Sequence, residues 1–583
     1  MKSPIFAAMT FTVMMAVLLP TLLSAADPIS GNGNADYVFT NAKVYTVNKE
    51  APWAEAIAIK GNKIVYVGDA EGVKSRVGKG TKVVDLKGKM VLPGFVEGHF
   101  HSIVGAMIAK GLDLQTDDKQ ELFDRIRKYA KENPDLDVIV GYGVRFNVFP
   151  DQLPTAAMLD EIESKRPIYF FGIDGHTAWV NSKALEMAGI NKDTPDTAPG
   201  FSYFVRDEGN NPTGWIVEWP AELQVLGSLV EFNVEYVKDG VKEWLPRFSA
   251  AGITAVHDYG VLGIPAEEAF QFFTDMAAQG KLPIRIQGSY YWNDPKADPI
   301  PPLKKLMQQF DTELVSVKSL KVNLDGGDDK WNALYTEPYT DKPDVKVEPI
   351  IPYDIVNATV ERADKERINV TCHCFGDLAV RKFLDAVEMA KKKNPQWGRR
   401  PVASHATMVD DADIPRFAEL GATYDTTGFW MSLDPLLQTV STTRLGPERV
   451  QAMFPMKKIA EAGGNVSLGS DWPTGAYVSD YRPLLSIRVA VTRQLPGRDD
   501  VPPLGGKEAR VPLDLALYAQ TLGAAYGMAL DDKIGSLEVG KLADLVVLDR
   551  NLFDINPHDI HKARVLLTIM NGKVVHDELK LEK

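Results

Sequence analysis

Cysteine is nearly absent: only Cys372 and Cys374 occur among 583 residues. They flank His373, and residues two apart on a strand rarely have disulfide geometry. A fold held by cross-links is therefore excluded, and both cysteines read as small buried apolar residues. Excess positive charge is absent too. A net charge of −13 argues against nucleic acid or anionic membrane surfaces as partners. No low-complexity tract, heptad series or short tandem repeat occurs, which removes fibrous and solenoid architectures. No Gly-x-Gly-x-x-Gly opens a first helix, so the usual mark of a doubly wound dinucleotide-binding sheet is missing.

What is there is an ordinary globular composition, 45% hydrophobic and 25% charged. The chain is long enough for two or three domains, or for one large barrel with additions. Residues 1–26 stand apart. Lys2 gives a short positive start, Ile5 to Leu23 is almost wholly apolar, and Ser24-Ala25-Ala26 places small residues before Asp27. This is the make-up of a cleavable secretory signal peptide; an uncleaved membrane anchor is the alternative. Pro20 and the small-residue end favour cleavage, and no Cys follows for lipid attachment. The expectation is a periplasmic or secreted bacterial protein with no stable membrane anchor.

From Tyr37 to Leu92 short β-branched runs follow one another, with turns such as Lys60-Gly-Asn-Lys63 between them. They predict a small antiparallel sheet. Leu545-Val-Val-Leu-Asp and the run from Val565 to His576 have the same texture. Residues 27–92 and 531–583 are thus expected to form one β-sandwich built from both ends. Between them, in 93–530, strands are predicted at Gly252–Asp258, Pro283–Gly288, Ser319–Asp325, Ile368–His373, Pro401–His405, Gly421–Asp425 and Asn465–Asp471. With a strand ending near His99 they make eight, most followed by a segment of helical period. Eight strand–helix units are the arithmetic of a (β/α)8 TIM-type barrel of the α/β class. A doubly wound open sheet is the alternative. About 150 residues separate the first two strands, far beyond an ordinary βα loop. An inserted subdomain over 110–235 is therefore expected, emerging on the face where barrel active sites lie.

In Val91-Leu-Pro-Gly-Phe-Val-Glu-Gly-His99-Phe-His101-Ser102 two histidines alternate with one apolar residue at the end of an apolar run. On a strand, His99 and His101 share a face and form half of a divalent metal site. Alone, the tripeptide fits two surface histidines as easily. Lys321, His373, His405 and Asp471 stand on four more predicted strands, three of them at the C-terminal end. Each has an ordinary alternative: His373 as a satisfied core histidine, His405 or Asp471 as a cap or turn residue, Lys321 paired with Asp325. Jointly, four histidines and an aspartate at one end of a barrel suit a hydrolytic divalent metal site.

Pro93-Gly-Phe-Val-Glu-Gly-His99-Phe-His101 resembles the first-strand signature of the amidohydrolase superfamily. Lys321-x-x-x-Asp325-Gly326, His373-x-x-Gly376-Asp377, His405-Ala406 and Leu468-Gly-Ser-Asp471-Trp472-Pro473 resemble its later signatures. Asp174-Gly-His176, Trp179-Val-Asn181-Ser182 and Glu337-Pro338-Tyr339 resemble amidohydrolase family 3, the YtcJ-like branch that includes N-substituted formamide deformylases. The resemblance implies that His99 and His101 hold the more buried of two metal ions. A carboxylated Lys321 would bridge the two, with His373 and His405 on the second. Asp471 would ligate the first and act as general acid/base, and the metal would be zinc. A one-metal site on His99, His101, His373 and Asp471 is the alternative. The resemblance also places His176 and Trp179 against the substrate, with His176 holding the developing oxyanion; the alternative is that they hold the insertion's own core. Asp325 and Trp331 join them as expected substrate contacts, and Trp430 and Trp472 would complete an aromatic lining. The chain departs from the branch at Gly327-Asp-Asp-Lys-Trp-Asn-Ala333, which is charged, and at Glu97, where aspartate is common.

The function implied is an exported amidohydrolase that cuts a non-peptide C–N bond of a small amide, first an N-acyl or N-formyl amine. A metal lowers the pKa of bound water and so generates the attacking hydroxide; Asp471 passes the proton to the leaving amine. A deaminase or lactonase on the same metal site, and a secreted binding protein without catalysis, are the alternatives. A homodimer is expected only as a superfamily habit.

Overall fold

The computed structural model describes residues 33–149, 153–198, 202–231, 233–261, 264–292, 294–475 and 477–581. The leader read as a signal peptide lies outside them. Among the described residues no helix is long and apolar enough to cross a membrane.

Eight parallel strands form the central sheet: β1 (Phe95–Phe100), β2 (Ile253–Asp258), β3 (Arg285–Trp292), β4 (Val315–Asn323), β5 (Asn369–Cys374), β6 (Val402–His405), β7 (Thr423–Thr427) and β8 (Asn465–Gly469). Each pairs with its neighbour in chain order, as strand–helix repeats with right-handed crossovers require. The sheet is a nearly closed barrel. Among the described residues no ladder joins β1 to β8, but their ends meet at the top. Asp471 N donates to His99 O at 2.9 Å, and His101 N to Trp472 O at 3.1 Å. Two glycines allow this approach. A Cβ on Gly469 would lie 2.3 Å from His99 N, and one on Gly98 2.1 Å from Ser467 Oγ. Glu97 bridges the seam: it accepts from Ser470 N (2.7 Å) and from Gln520 Nε2 (2.9 Å).

The strands are buried on both faces, which accounts for their long apolar runs. Outward-facing Val96 and Ala255 pack with Ala524, Ala525 and Met528. The interior is polar where many such barrels carry branched aliphatics. His257 Nε2 lies 3.1 Å from Ser319 Oγ, which lies 2.7 Å from Ser289 Oγ. Strand β4 starts four residues before the expected Ser319. Lys318 is an unpromising residue within a strand, but it turns outward and pairs with Asp311 at 2.5 Å.

Two further sheets face each other outside the barrel. One has four strands (Tyr37–Thr40, Ala56–Lys60, Lys63–Gly68, Lys82–Asp85). The other has six, combining Lys43–Tyr45, Trp53–Ala54 and Met90–Pro93 with Leu545–Leu548, Val565–Met570 and Lys573–Asp577. Phe39, Ile57 and Ile59 from the first share a core with Val91, Leu545 and Ile569 from the second. Both chain ends therefore build one sandwich. Between β1 and β2 the chain inserts a third, six-stranded sheet, from Leu112–Asp113 to Pro212–Val217, followed by the helix Trp219–Leu229. Cys372 and Cys374 are buried and form no disulfide.

Candidate active site

The C-terminal ends of the barrel strands converge on one cluster. His99, His405 and Asp471 are buried, and one ligand atom from each lies within 4.8 Å of the others. Asp471 is the hub. His99 Nε2 is 3.1 Å and His101 Nε2 3.4 Å from its Oδ1, and His405 Nδ1 is 3.9 Å from its Oδ2. The His373 ring is centred 4.3 Å from that of His405. Local backbone directs two of these side chains inward: His405 has φ 65° and Asp471 φ 55°, a left-handed conformation that non-glycine residues rarely adopt. Lys321 stands two residues inside the end of β4. It is buried, and its Nζ has no hydrogen-bond partner while lying 4.5 Å above the Tyr259 ring centre.

Burial, helped by Lys321 and the neighbouring imidazoles, holds the pKa values of His99 and His405 well below the usual imidazole value. Burial likewise pulls Lys321 down to about 8. Neutral imidazoles beside a carboxylate are the donor set a divalent metal takes. His101 Nδ1, His405 Nδ1 and Lys321 Nζ are buried without a hydrogen bond. Leaving so many polar groups unsatisfied is costly, and an ion held by this donor set would offset that cost. The residues fit a metal.

Supporting groups surround the cluster. Asp325 was expected to touch substrate; instead it is 1% exposed, and its oxygens are taken by the protein. Oδ1 faces His373 Nδ1 (3.1 Å) and accepts from Phe375 N (2.8 Å), and Oδ2 accepts from Leu334 N (3.0 Å) and Gly376 N (2.9 Å). It orients His373 and leaves Nε2 for the site. Asp425, on β7, lies 3.5 Å from His99 Nδ1, and Tyr259 stacks on the His99 ring at 4.0 Å. Sequence reasoning did not single out either. A carboxylate in the strand run Tyr424-Asp425-Thr426-Thr427 was the available signal.

The aromatic lining is corrected at three of its four positions. Trp179 is fully buried in the inserted sheet, edge-on to Phe149 at 5.4 Å, with Nε1 donating to Thr155 O at 2.8 Å. It is core. Trp472 packs against Phe100 and Trp244 and is 1% exposed, so its ring is core. Trp331 has Lys342 Nζ and the Arg444 guanidinium over its ring at 3.3 and 3.4 Å, and donates Nε1 to Asp341 at 3.1 Å. It braces a loop. Trp430 alone lies against a site residue, parallel to His405 at 5.6 Å.

His176 stands on the insertion. Among the described residues no hydrogen bond or ion pair joins it to the barrel histidines. Its Nδ1 faces Glu218 Oε2 at 2.9 Å, a partner that sequence spacing did not reveal. Lys330, from the charged loop after β4, reaches Asp174 Oδ2 at 3.2 Å and Glu218 Oε1 at 3.4 Å.

A parallel barrel with buried imidazoles and a shared carboxylate at its C-terminal mouth defines a metal-dependent hydrolase of the amidohydrolase type. The chain belongs to the amidohydrolase family, whose sequence pattern matches residues 82–576. It is 30% identical over 553 residues to Protein LONG AFTER FAR-RED 3 of Arabidopsis thaliana, covering 93% of this chain and 92% of that protein. It is 28% identical to the putative amidohydrolase YtcJ of Bacillus subtilis (92% and 98% covered) and 26% identical to the N-substituted formamide deformylase of Arthrobacter pascens (92% and 97%). A metal-dependent hydrolase from Pyrococcus horikoshii shares the fold, with TM-score 0.70 at 23% identity over 89% of this chain and 99% of that one.

Proposed function

We propose that this protein is an exported hydrolase that cleaves the C–N bond of an N-acyl or N-formyl amine rather than of a peptide. The observation that carries the reading is the buried His99–His405–Asp471 cluster, in which, with His101 beside it, one carboxylate faces three imidazoles. The likeness to a formamide deformylase along nearly the whole chain supports the substrate class.

His99, His101 and Asp471 would hold one ion, and His373 and His405 a second. Lys321 would serve between them once carboxylated, because a plain ammonium would repel cations. Zinc is the proposed metal; bound there, it supplies Lewis acidity that acidifies water and polarises a carbonyl. Asp471 accepts the proton of the attacking water and delivers it to the leaving nitrogen. His176, above the mouth, donates to the carbonyl oxygen as it gains charge. The C–O bond forms first, the carbonyl oxygen taking up the charge, and the C–N bond then breaks as the nitrogen is protonated, giving a carboxylate and an ammonium ion.

The test is a hydrolysis screen of N-formyl and N-acyl amines with elemental analysis of the same preparation. Asp471→Asn should lower kcat by at least roughly 100-fold, and His99→Ala should lose metal. Full hydrolysis by either variant would overturn the site assignment. Export is tested by N-terminal sequencing of the secreted form, expected to begin at Asp27.

A further inference from the structure

The inserted sheet brings a second set of charged side chains to the barrel mouth. The turn Asp174-Gly175-His176 rests on the loop after β8. Gly475 N donates to Ile173 O at 3.0 Å, and a Cβ on Gly175 would lie 2.7 Å from Thr474 Cγ2. Thr474 N in turn donates to Asp471 O at 2.9 Å, so this turn is one short connection from the hub of the cluster. Lys330 reaches in from the loop after β4. Between these two loops stands Glu218, with one oxygen 3.4 Å from Lys330 Nζ and the other 2.9 Å from His176 Nδ1.

The backbone at Glu218 is unusual. Its φ is 66° and its ψ 150°, a region used almost only by glycine. The geometry is over-determined: Glu218 N donates to His176 O at 2.9 Å, and Glu218 O accepts from Ala221 N at 3.1 Å as the helix Trp219–Leu229 begins. Glycine would occupy this position without strain, so the carboxylate is what distinguishes the residue found there. The His176 side chain is 48% exposed, and with Nδ1 engaged by Glu218 only Nε2 is left for a ligand.

We propose that Glu218 is a positioning residue for hydrolysis: tethered by Lys330, it holds His176 as an imidazolium that gives Nδ1–H to Glu218 and offers Nε2–H to the substrate's carbonyl oxygen. The inference rests on the reading of His176 given under Proposed function and supplies what that reading lacks, a reason for the ring to be charged and oriented. The electrostatics agree. Partial desolvation by the packed turn and Lys330 oppose the charge on this half-exposed ring, but Glu218 and Asp174 outweigh them and hold its pKa above the usual value. The groups facing the ring are Asp174 and Glu218 from the insertion and Lys330 and Asp329 from the β4 loop.

The first arm needs no substrate. In the full-length, metal-loaded protein, the His176 ring is titrated by NMR and assigned by its loss in His176→Ala. In Glu218→Gln it should titrate about one pH unit lower, as expected when an opposite charge is removed. The second arm is kinetic. Glu218→Gln should lower kcat roughly 10- to 100-fold with KM little changed, and shift the alkaline limb of the kcat profile to lower pH. In a His176→Ala background the same change should add nothing. Glu218→Gly, which relaxes the backbone, should fold and bind metal yet show the same kcat loss. An unmoved His176 titration, multiplicative losses in the double variant, or full kcat in Glu218→Gly would overturn the proposal. An Asp471→Asn enzyme that still hydrolyses amides would instead overturn the site assignment, and a wild-type enzyme that cleaves none of them would overturn the hydrolytic reading; in either case the His176 titration would still report on Glu218.

Discussion

Asp325 shows how one side chain sets the quality of the site without touching substrate. Its carboxylate accepts three backbone N–H groups and faces His373 Nδ1, so it joins the ends of β4 and β5 and fixes one imidazole. Asp325→Asn keeps the shape but replaces one oxygen with an NH2 that must face either backbone N–H donors or the ring. We expect metal affinity, measured by chelator competition, to fall by roughly 10- to 100-fold, and stability to fall by about 1–3 kcal/mol in denaturant unfolding. Trp179 makes the contrasting case. As a buried core side chain it should cost about 3–5 kcal/mol when cut to alanine, while the folded fraction keeps its KM; a raised KM at unchanged stability would return it to a pocket. The difference between these two residues marks what sequence can carry at this scale. His99, His101, His373, His405 and Asp471 were legible because each ends or follows an apolar run at a predicted strand end. Glu218 and Asp425 were not, because nothing local says which imidazole they face. Trp179 misled because a dense polar and aromatic neighbourhood looks alike in a pocket and in a small core.

At the scale of elements, the seam between β1 and β8 decides whether the cluster assembles. His99 ends one strand and Asp471 follows the other, so their separation is set by how closely the two backbones approach. Gly469 permits that approach, since any Cβ there would stand 2.3 Å from His99 N, a backbone atom that cannot swing aside. Gly469→Ala should destabilise the fold by about 1–3 kcal/mol or more and lower metal content out of proportion to that loss, since both ligands shift. Thermal unfolding and metal analysis on one preparation check this; retention of full metal would show that the seam does not control the site. Strand count and order were readable from the apolar runs. The starts of strands were less so: β4 begins at Val315, before an outward-facing Lys318 that looks like a strand breaker in sequence. The meeting of β1 and β8 joins residues far apart in the chain and leaves no local mark beyond two glycines.

At the scale of the whole molecule, the site and its support lie at opposite ends of the barrel. Arg285 is the first residue of β3, at the N-terminal face where barrel residues serve stability. Its Nη1 lies 2.5 Å from Asp544 Oδ2, with both side chains almost fully buried, and its Nε donates to Glu313 O at 3.0 Å. Asp544 precedes the sandwich strand Leu545–Leu548 and accepts from Asn571 N at 2.7 Å through its other oxygen. This ion pair therefore fastens the barrel floor to the sheet formed from both chain ends. An intact buried pair need not add net stability, because desolvation offsets much of the attraction, but removing one partner leaves a buried charge uncompensated. Arg285→Met should cost about 3–5 kcal/mol, and Arg285→Met with Asp544→Leu should recover part of that loss. Turnover per bound metal should stay near wild type in both, because the tie lies at the end away from Asp471. Denaturant unfolding and metal-normalised kinetics check the two halves separately. A double variant no more stable than the single one would show that backbone packing, and not the ion pair, holds the sandwich to the barrel.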